Sequence, residues 1–219
     1  FGAHLAVQVG EDAGGEDVLV GGVFRQLAAG RLRLDEQVTI SERAWRAEGS
    51  RTFLEVGKQV PVEVLIKGMI VQSGNDAATA LAEKVAGTEA AFAGLMNEEA
   101  ARLGMKNSNF TNATGLPDPQ LYSSARDIAL LSRALIRDFP DFYRWYSLRE
   151  FEWDGIRQPN RNGLLARDAG VDGIKTGHTE SAGYCLASSA ERGGTRFVAV
   201  VLGTASPKVR EEASLTLLE

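Results

Sequence analysis

Apolar residues recur at helical spacing through the first two thirds of the chain and in strand-like runs through the last third, with the change near Pro140. Val23 to Ala29 reads as a helix closed by Gly30, a position where a left-handed cap is favoured, and Gln37 to Ile40 reads as a short strand. Pro61 suits the first turn of a helix through Ile70. Ser73 to Asp76 opens another that runs to Val85 before Gly87. Thr88 to Leu103 forms an amphipathic helix stopped by Gly104, and Ser124 with Asp127 makes a capping-box start for a helix ending near Arg137. After the aromatic run Phe142 to Tyr146, short strands surround Glu150 to Trp153 with Asp154-Gly155 as the turn. Ile174 to Thr176, Gly183 to Ala190 and Arg196 to Leu202 read as further strands, the last two joined as a hairpin by Glu191-Arg192-Gly193-Gly194. Phe197 to Leu202 is apolar at every position, which predicts burial on both faces of that strand. Glu211 to Glu219 reads as a final helix.

Composition narrows the class. The chain has 219 residues, 44% hydrophobic and 24% charged, enough for one substantial core in a single domain with two lobes. A net charge of −5 with scattered Lys and Arg gives no basic field for nucleic acid or anionic lipid. The single cysteine, Cys185, excludes an internal disulfide and sits in a strand pattern as a small packed hydrophobe. No run reaches the roughly 18 apolar residues needed to span a bilayer, so membrane contact is expected only through segments outside these 219 residues. Two distant histidines, His4 and His178, with one cysteine argue against zinc, and neither a metal nor an organic cofactor is expected.

Two motifs carry chemistry. Serine enzymes that open D-alanyl-D-alanine peptides or β-lactam rings use S-x-x-K for nucleophile and base, S-x-N for one wall of the cleft and K-T-G for the other. Ser73-Gly74-Asn75 supplies the second, and Lys175-Thr176-Gly177, followed by His178, supplies the third. No serine has lysine three residues later. A peptide ending in a carboxylate needs a cation and a hydroxyl donor near that terminus, which Lys175 and Thr176 provide by charge-assisted hydrogen bonds. Gly177 removes a side chain where an extended substrate pairs with the strand edge. Ser73 can pass a proton toward the leaving amine, and Asn75 can hold the substrate amide.

Four segments make the chain resemble the catalytic domain of the low-molecular-mass penicillin-binding proteins, which are serine-type D-alanyl-D-alanine carboxypeptidases. They are Ile70 to Ala77, Tyr122 to Asp127, Gln158 to Leu165 and Val171 to Thr179. The resemblance implies an α/β fold of the β-lactamase/DD-peptidase kind, a mainly antiparallel sheet flanked by helices with a helical lobe carrying Ser73. It also implies removal of the terminal D-alanine from peptidoglycan stem peptides, acylation by β-lactams, and a bacterial periplasmic or outer-surface location. His178 either lines the pocket or packs at a strand end.

Residues 1–22 depart from the family pattern. Counting back without gaps from Val23 puts Ala13 and Glu16 in the serine and lysine slots, and neither can serve there. The Gly-rich acidic stretch is also a poor helix opening. The family's smaller β-rich domain and amphipathic anchor are expected to lie outside the chain. One alternative is therefore a non-catalytic homologue that binds peptidoglycan or β-lactams. A β-lactamase ranks third, because no glutamate motif for deacylation occurs between Arg137 and Ile174. Standing alone, Ser73 and Asn75 would be helix caps, Lys175 a surface cation and Thr176 a strand former. The aromatics from Phe142 to Trp153 are expected in packing, and Arg126 with Asp127 in helix initiation and ion pairing.

Overall fold

The computed structural model describes residues 15–219, with side chains from Asp17 onward. In chain order the elements are α1 (Gly15–Ala28), β1 (Gln37–Thr39), α2 (Glu42–Trp45), β2 (Gln59–Pro61), α3 (Val62–Gln72), α4 (Asn75–Ala86) and α5 (Glu89–Leu103). They continue with α6 (Ala125–Asp138), α7 (Pro140–Tyr143), β3 (Glu150–Trp153), β4 (Ile156–Pro159), α8 (Leu164–Arg167), β5 (Val171–Thr179), β6 (Gly183–Arg192), β7 (Thr195–Thr204) and α9 (Pro207–Leu218).

The predicted helix at Val23 begins earlier, at Gly15, although glycine is a weak helix former. Tertiary packing outweighs that preference. Val18, Leu19, Val20, Val23 and Phe24 are all buried, and a side chain at Gly22 would stand 3.1 Å from the Phe92 ring of α5. Gly30 closes the segment with φ +68, as the left-handed cap requires. Capping also sets α5, where the Thr88 hydroxyl accepts from Ala91 N and Gly104 ends the helix with φ +77. On α6 the Ser124 hydroxyl accepts from Asp127 N at 3.2 Å. The expected ion pairing of Asp127 is replaced by hydrogen bonds. Its buried carboxylate accepts from Asn107 N at 2.7 Å and Ser108 Oγ at 2.8 Å, tying the preceding loop to the helix start.

Strands β5, β6 and β7 form an antiparallel sheet in that order, so β5 is an edge among the described residues. β3 and β4 form a hairpin through Asp154-Gly155, whose φ angles of 50 and 77 are those of a primed turn. Helices α6 and α9 pack on β7, yet within the apolar run only Ala199 is buried and Phe197 is 38% exposed. The prediction of burial on both faces is thus corrected. Among the described residues β7 is the other edge strand, and the helices cover it only in part.

The larger apolar cluster joins α1, α3, α4, α5 and α6 to Tyr143, Trp145, Tyr146 and Phe151. Here the aromatic run packs as expected: Phe24 stacks on Phe142 at 5.1 Å and meets Trp145 edge-on at 6.1 Å. A smaller cluster of Leu164, Leu165, Val171, Leu186, Ala190, Ala199 and Leu218 lies between the sheet and α9. Gly173 lets β5 approach the first cluster closely, because a side chain there would lie 2.6 Å from Tyr143 Oη. No helix among the described residues is long and apolar enough to cross a membrane.

Candidate active-site cleft

A cleft of about 590 Å³ runs along β5 and ends against the junction of α3 and α4. Ser73, Asn75, Lys175, Thr176, Gly177 and His178 all line it, so the two motifs read from the sequence meet in space. The joining contact is a hydrogen bond that Lys175 Nζ donates to Ser73 Oγ. Lys175 Nζ also donates to Thr176 O at 3.0 Å.

Ser73 does not open a helix as expected. It closes α3 in the left-handed conformation, φ 58 and ψ 41, with its N–H on Met69 O at 2.9 Å. Gly74 is the cap of α4, and no side chain serves that cap. A side chain at Gly74 would sit 2.0 Å from Thr52 Oγ1 and 3.0 Å from Thr52 N, so glycine alone fits between the helix junction and the 49–54 loop. That loop is held by Asp76, fully buried at the start of α4. Its carboxylate accepts from Thr52 N at 2.8 Å, Leu54 N at 3.1 Å and Ala77 N at 2.9 Å. Two donors from residues flanking Phe53 leave it in the left-handed region, φ 64, with its ring half exposed.

Asn75 N donates to Ser50 O at 2.8 Å, and Asn75 Nδ2 donates to Glu48 O at 2.7 Å. One Nδ2 hydrogen is therefore committed to the protein, which fixes the amide's orientation and leaves Oδ1 as acceptor. On the opposite wall Lys175 and Thr176 are buried, whereas His178 is exposed at the rim and stacks on Tyr184 of β6 with ring centroids 4.0 Å apart. His178 thus both lines the cleft and packs across the strand pair.

Four charged residues of the cleft, Asp17, Arg161, Arg210 and Glu211, escaped sequence reading. Asp17, 2% exposed, accepts a hydrogen bond from Tyr146 Oη at 3.0 Å. Arg161 lies inside a segment quoted for the resemblance, and its Nε donates to Gln72 Oε1 at 3.3 Å. Arg210 of α9, 5% exposed, stands over the Tyr184 ring and donates to Cys185 O at 3.4 Å. Burial pulls its guanidinium below the usual value, an effect that the charge of Glu211 opposes. No local pattern marks Asp17 or Arg210, since each sits on a helix that reads as packing. Ala13 lies outside the described residues, as does the side chain of Glu16. Among the described residues no group of three or more His, Cys, Asp or Glu could hold a metal ion.

A family model described as D-alanyl-D-alanine carboxypeptidase matches residues 20–206. The D-alanyl-D-alanine carboxypeptidase DacA of Escherichia coli is 47% identical over 203 residues, covering 90% of this chain and 50% of that protein. The chain spans about half the length of the curated relatives it matches. Penicillin binding protein 5 from Haemophilus influenzae superposes with a TM-score of 0.92 at 42% identity, over 96% of this chain and 63% of that one. The carboxypeptidase DacD from Francisella tularensis does so with a TM-score of 0.94 at 35% identity, over 97% and 64%. With both cleft walls in place on a β-lactamase/DD-peptidase fold, the chain belongs to the D-alanyl-D-alanine carboxypeptidase family.

Proposed function

We propose that this chain provides the peptide cleft of a serine-type D-alanyl-D-alanine carboxypeptidase, acting on peptidoglycan stem peptides and open to β-lactams. The observation that carries the reading is the contact between Lys175 and Ser73, which closes one cleft from motifs on opposite sides of the fold. In it the substrate's terminal carboxylate meets Lys175 and the Thr176 hydroxyl, and its backbone runs along the β5 edge past Gly177. Asn75 Oδ1 accepts from the substrate amide, and Ser73 moves a proton toward the leaving nitrogen. His178 and Tyr184 form the rim. Residues 1–219 work as one transpeptidase-like domain needing no metal or organic cofactor. The substrate class places the protein in the bacterial periplasm or on the outer face of the cytoplasmic membrane, in cell-wall synthesis and cell-shape maintenance.

The test is release of free D-alanine from a peptide ending in D-Ala-D-Ala, followed enzymatically, beside binding of the same peptide by calorimetry. Release is the expected result. One specific observation favours a second reading: S-x-x-K is missing from the sequence. Binding without release would establish that reading, a non-catalytic peptidoglycan- or β-lactam-binding homologue, and failure of both would sink the cleft assignment.

A further inference from the structure

We propose that Gly49 is a positioning residue of the cleft that acts through Asn75, an inference that rests on the role of Asn75 in the functional reading above. Asn75 opens α4, and the first N–H groups of a helix have no partner inside it. Gly74, the cap, brings no side chain to them. Ser50 O fills that place by accepting from Asn75 N at 2.8 Å, while Glu48 O accepts from Asn75 Nδ2 at 2.7 Å. The two carbonyls flanking position 49 thus hold both the backbone and the side chain of one asparagine. The segment that carries them passes through Gly49 at φ +81, a left-handed conformation that glycine adopts without strain.

Space makes a second, independent demand for glycine. A Cβ at position 49 would stand 2.8 Å from Asn75 Nδ2 and 3.8 Å from Leu116 Cδ2. The shorter distance is less than a carbon and an amide nitrogen tolerate, so one of them has to move. Asn75 is 5% exposed and its backbone is tied to Ser50, so the movement falls on its amide group, at the cost of the hydrogen bond to Glu48 O. Oδ1, the acceptor offered to the substrate amide, turns with it. Gly49, Ser50, Asn75 and Leu116 all line the cleft, so the change is felt where the peptide lies. Gly74 meets the same loop elsewhere, at Thr52, and touches its backbone rather than this amide.

Gly57 separates conformation from contact. It lies further along the segment between α2 and β2 with nearly the same backbone angle, φ +77, but nothing stands within 4 Å of the place its Cβ would take. Gly57→Ala therefore carries the left-handed strain alone, whereas Gly49→Ala carries that strain and the conflict with Asn75.

The test is calorimetric affinity for a peptide ending in D-Ala-D-Ala, beside urea unfolding, in the wild type, Gly49→Ala, Gly57→Ala, Asn75→Ala and the variant joining Gly49→Ala to Asn75→Ala. Gly49→Ala is expected to bind about 10-fold more weakly, the scale of one hydrogen bond, and Gly57→Ala to bind as the wild type does. Added to Asn75→Ala, where the amide is gone, Gly49→Ala should cost less than about 2-fold more. Unfolding should follow the same cycle, with Gly49→Ala losing more than Gly57→Ala and Asn75→Ala removing the excess. That cycle stays readable where Gly49→Ala alone is too unstable to bind peptide. Wild-type affinity in Gly49→Ala, or fully additive losses in the joined variant, would overturn the inference and leave the functional reading standing. A folded wild type that binds no such peptide would overturn that reading and the inference with it.

Discussion

At Gly74 a single added methyl group would stand 2.0 Å from Thr52 Oγ1, and the shape of the cleft depends on that packing. Gly74→Ala is expected to lower stability by about 1–3 kcal/mol in urea unfolding, the usual cost of overpacking. Thr52→Ala in the same chain should recover part of the loss, because it deletes the clashing hydroxyl; purely additive losses would mean the conflict lies with the backbone. At this scale the sequence was informative where chemistry needs a rare residue type at fixed spacing, as in Ser73-Gly74-Asn75 and Lys175-Thr176-Gly177. It was silent about Asp17 and Arg210, whose place in the cleft depends on how helices distant in sequence pack around β5. The sequence also assigned Ser73 to a helix start, whereas its left-handed backbone ends α3 and Gly74, packed against Thr52, leads into α4.

Elements announced by their ends were legible. Thr88 and Gly104 bound α5, Ser124 opens α6, and Asp154-Gly155 turns β3 into β4, each through a local hydrogen bond or a positive φ that the residue type favours. Elements decided by packing were not: α1 runs through Gly21 and Gly22 because its apolar face is buried, and β7 is half covered although its sequence is continuously apolar. The joint between α4 and the 49–54 loop gives a prediction at this scale. Asp76→Asn sets an amide N–H against Leu54 N–H or leaves that donor unpaired, and a loss of about 2 kcal/mol is expected in chemical denaturation. Slower D-alanine release is expected as well, because Asn75 is held by Ser50 O of this loop and by Glu48 O just before it. Unchanged stability would show that the three backbone donors do not need this carboxylate.

Across the whole molecule, α1 is tied to α5 by a buried carboxylate. Glu99 accepts from Arg25 Nη2 at 2.7 Å and from Arg102 Nη2 at 2.6 Å. Burial raises its pKa, but hydrogen bonds from Arg102 and Arg25 outweigh that and hold it below its ordinary value of 4.5. The folded state therefore binds the Glu99 proton less readily than the unfolded chain does. This contribution is complete above the ordinary carboxylate range and is lost as pH falls through the folded value. The stability gap between wild type and Glu99→Gln should accordingly shrink on acidification below about pH 4.5 and stay constant from pH 6 to 8; a gap that widens in acid would contradict the sign. At the same scale, the cleft joins β5 of the sheet to the α3–α4 junction of the helical lobe, and the proposed function makes recognition of a free carboxylate depend on both. The most direct test is calorimetric affinity for a peptide ending in D-Ala-D-Ala and for its C-terminal amide, in the wild type and in Lys175→Ala. The account predicts that the wild type prefers the free carboxylate and that Lys175→Ala loses more affinity for the acid than for the amide. Equal losses for the two ligands would contradict the claim that this cleft is built to hold the end of a stem peptide.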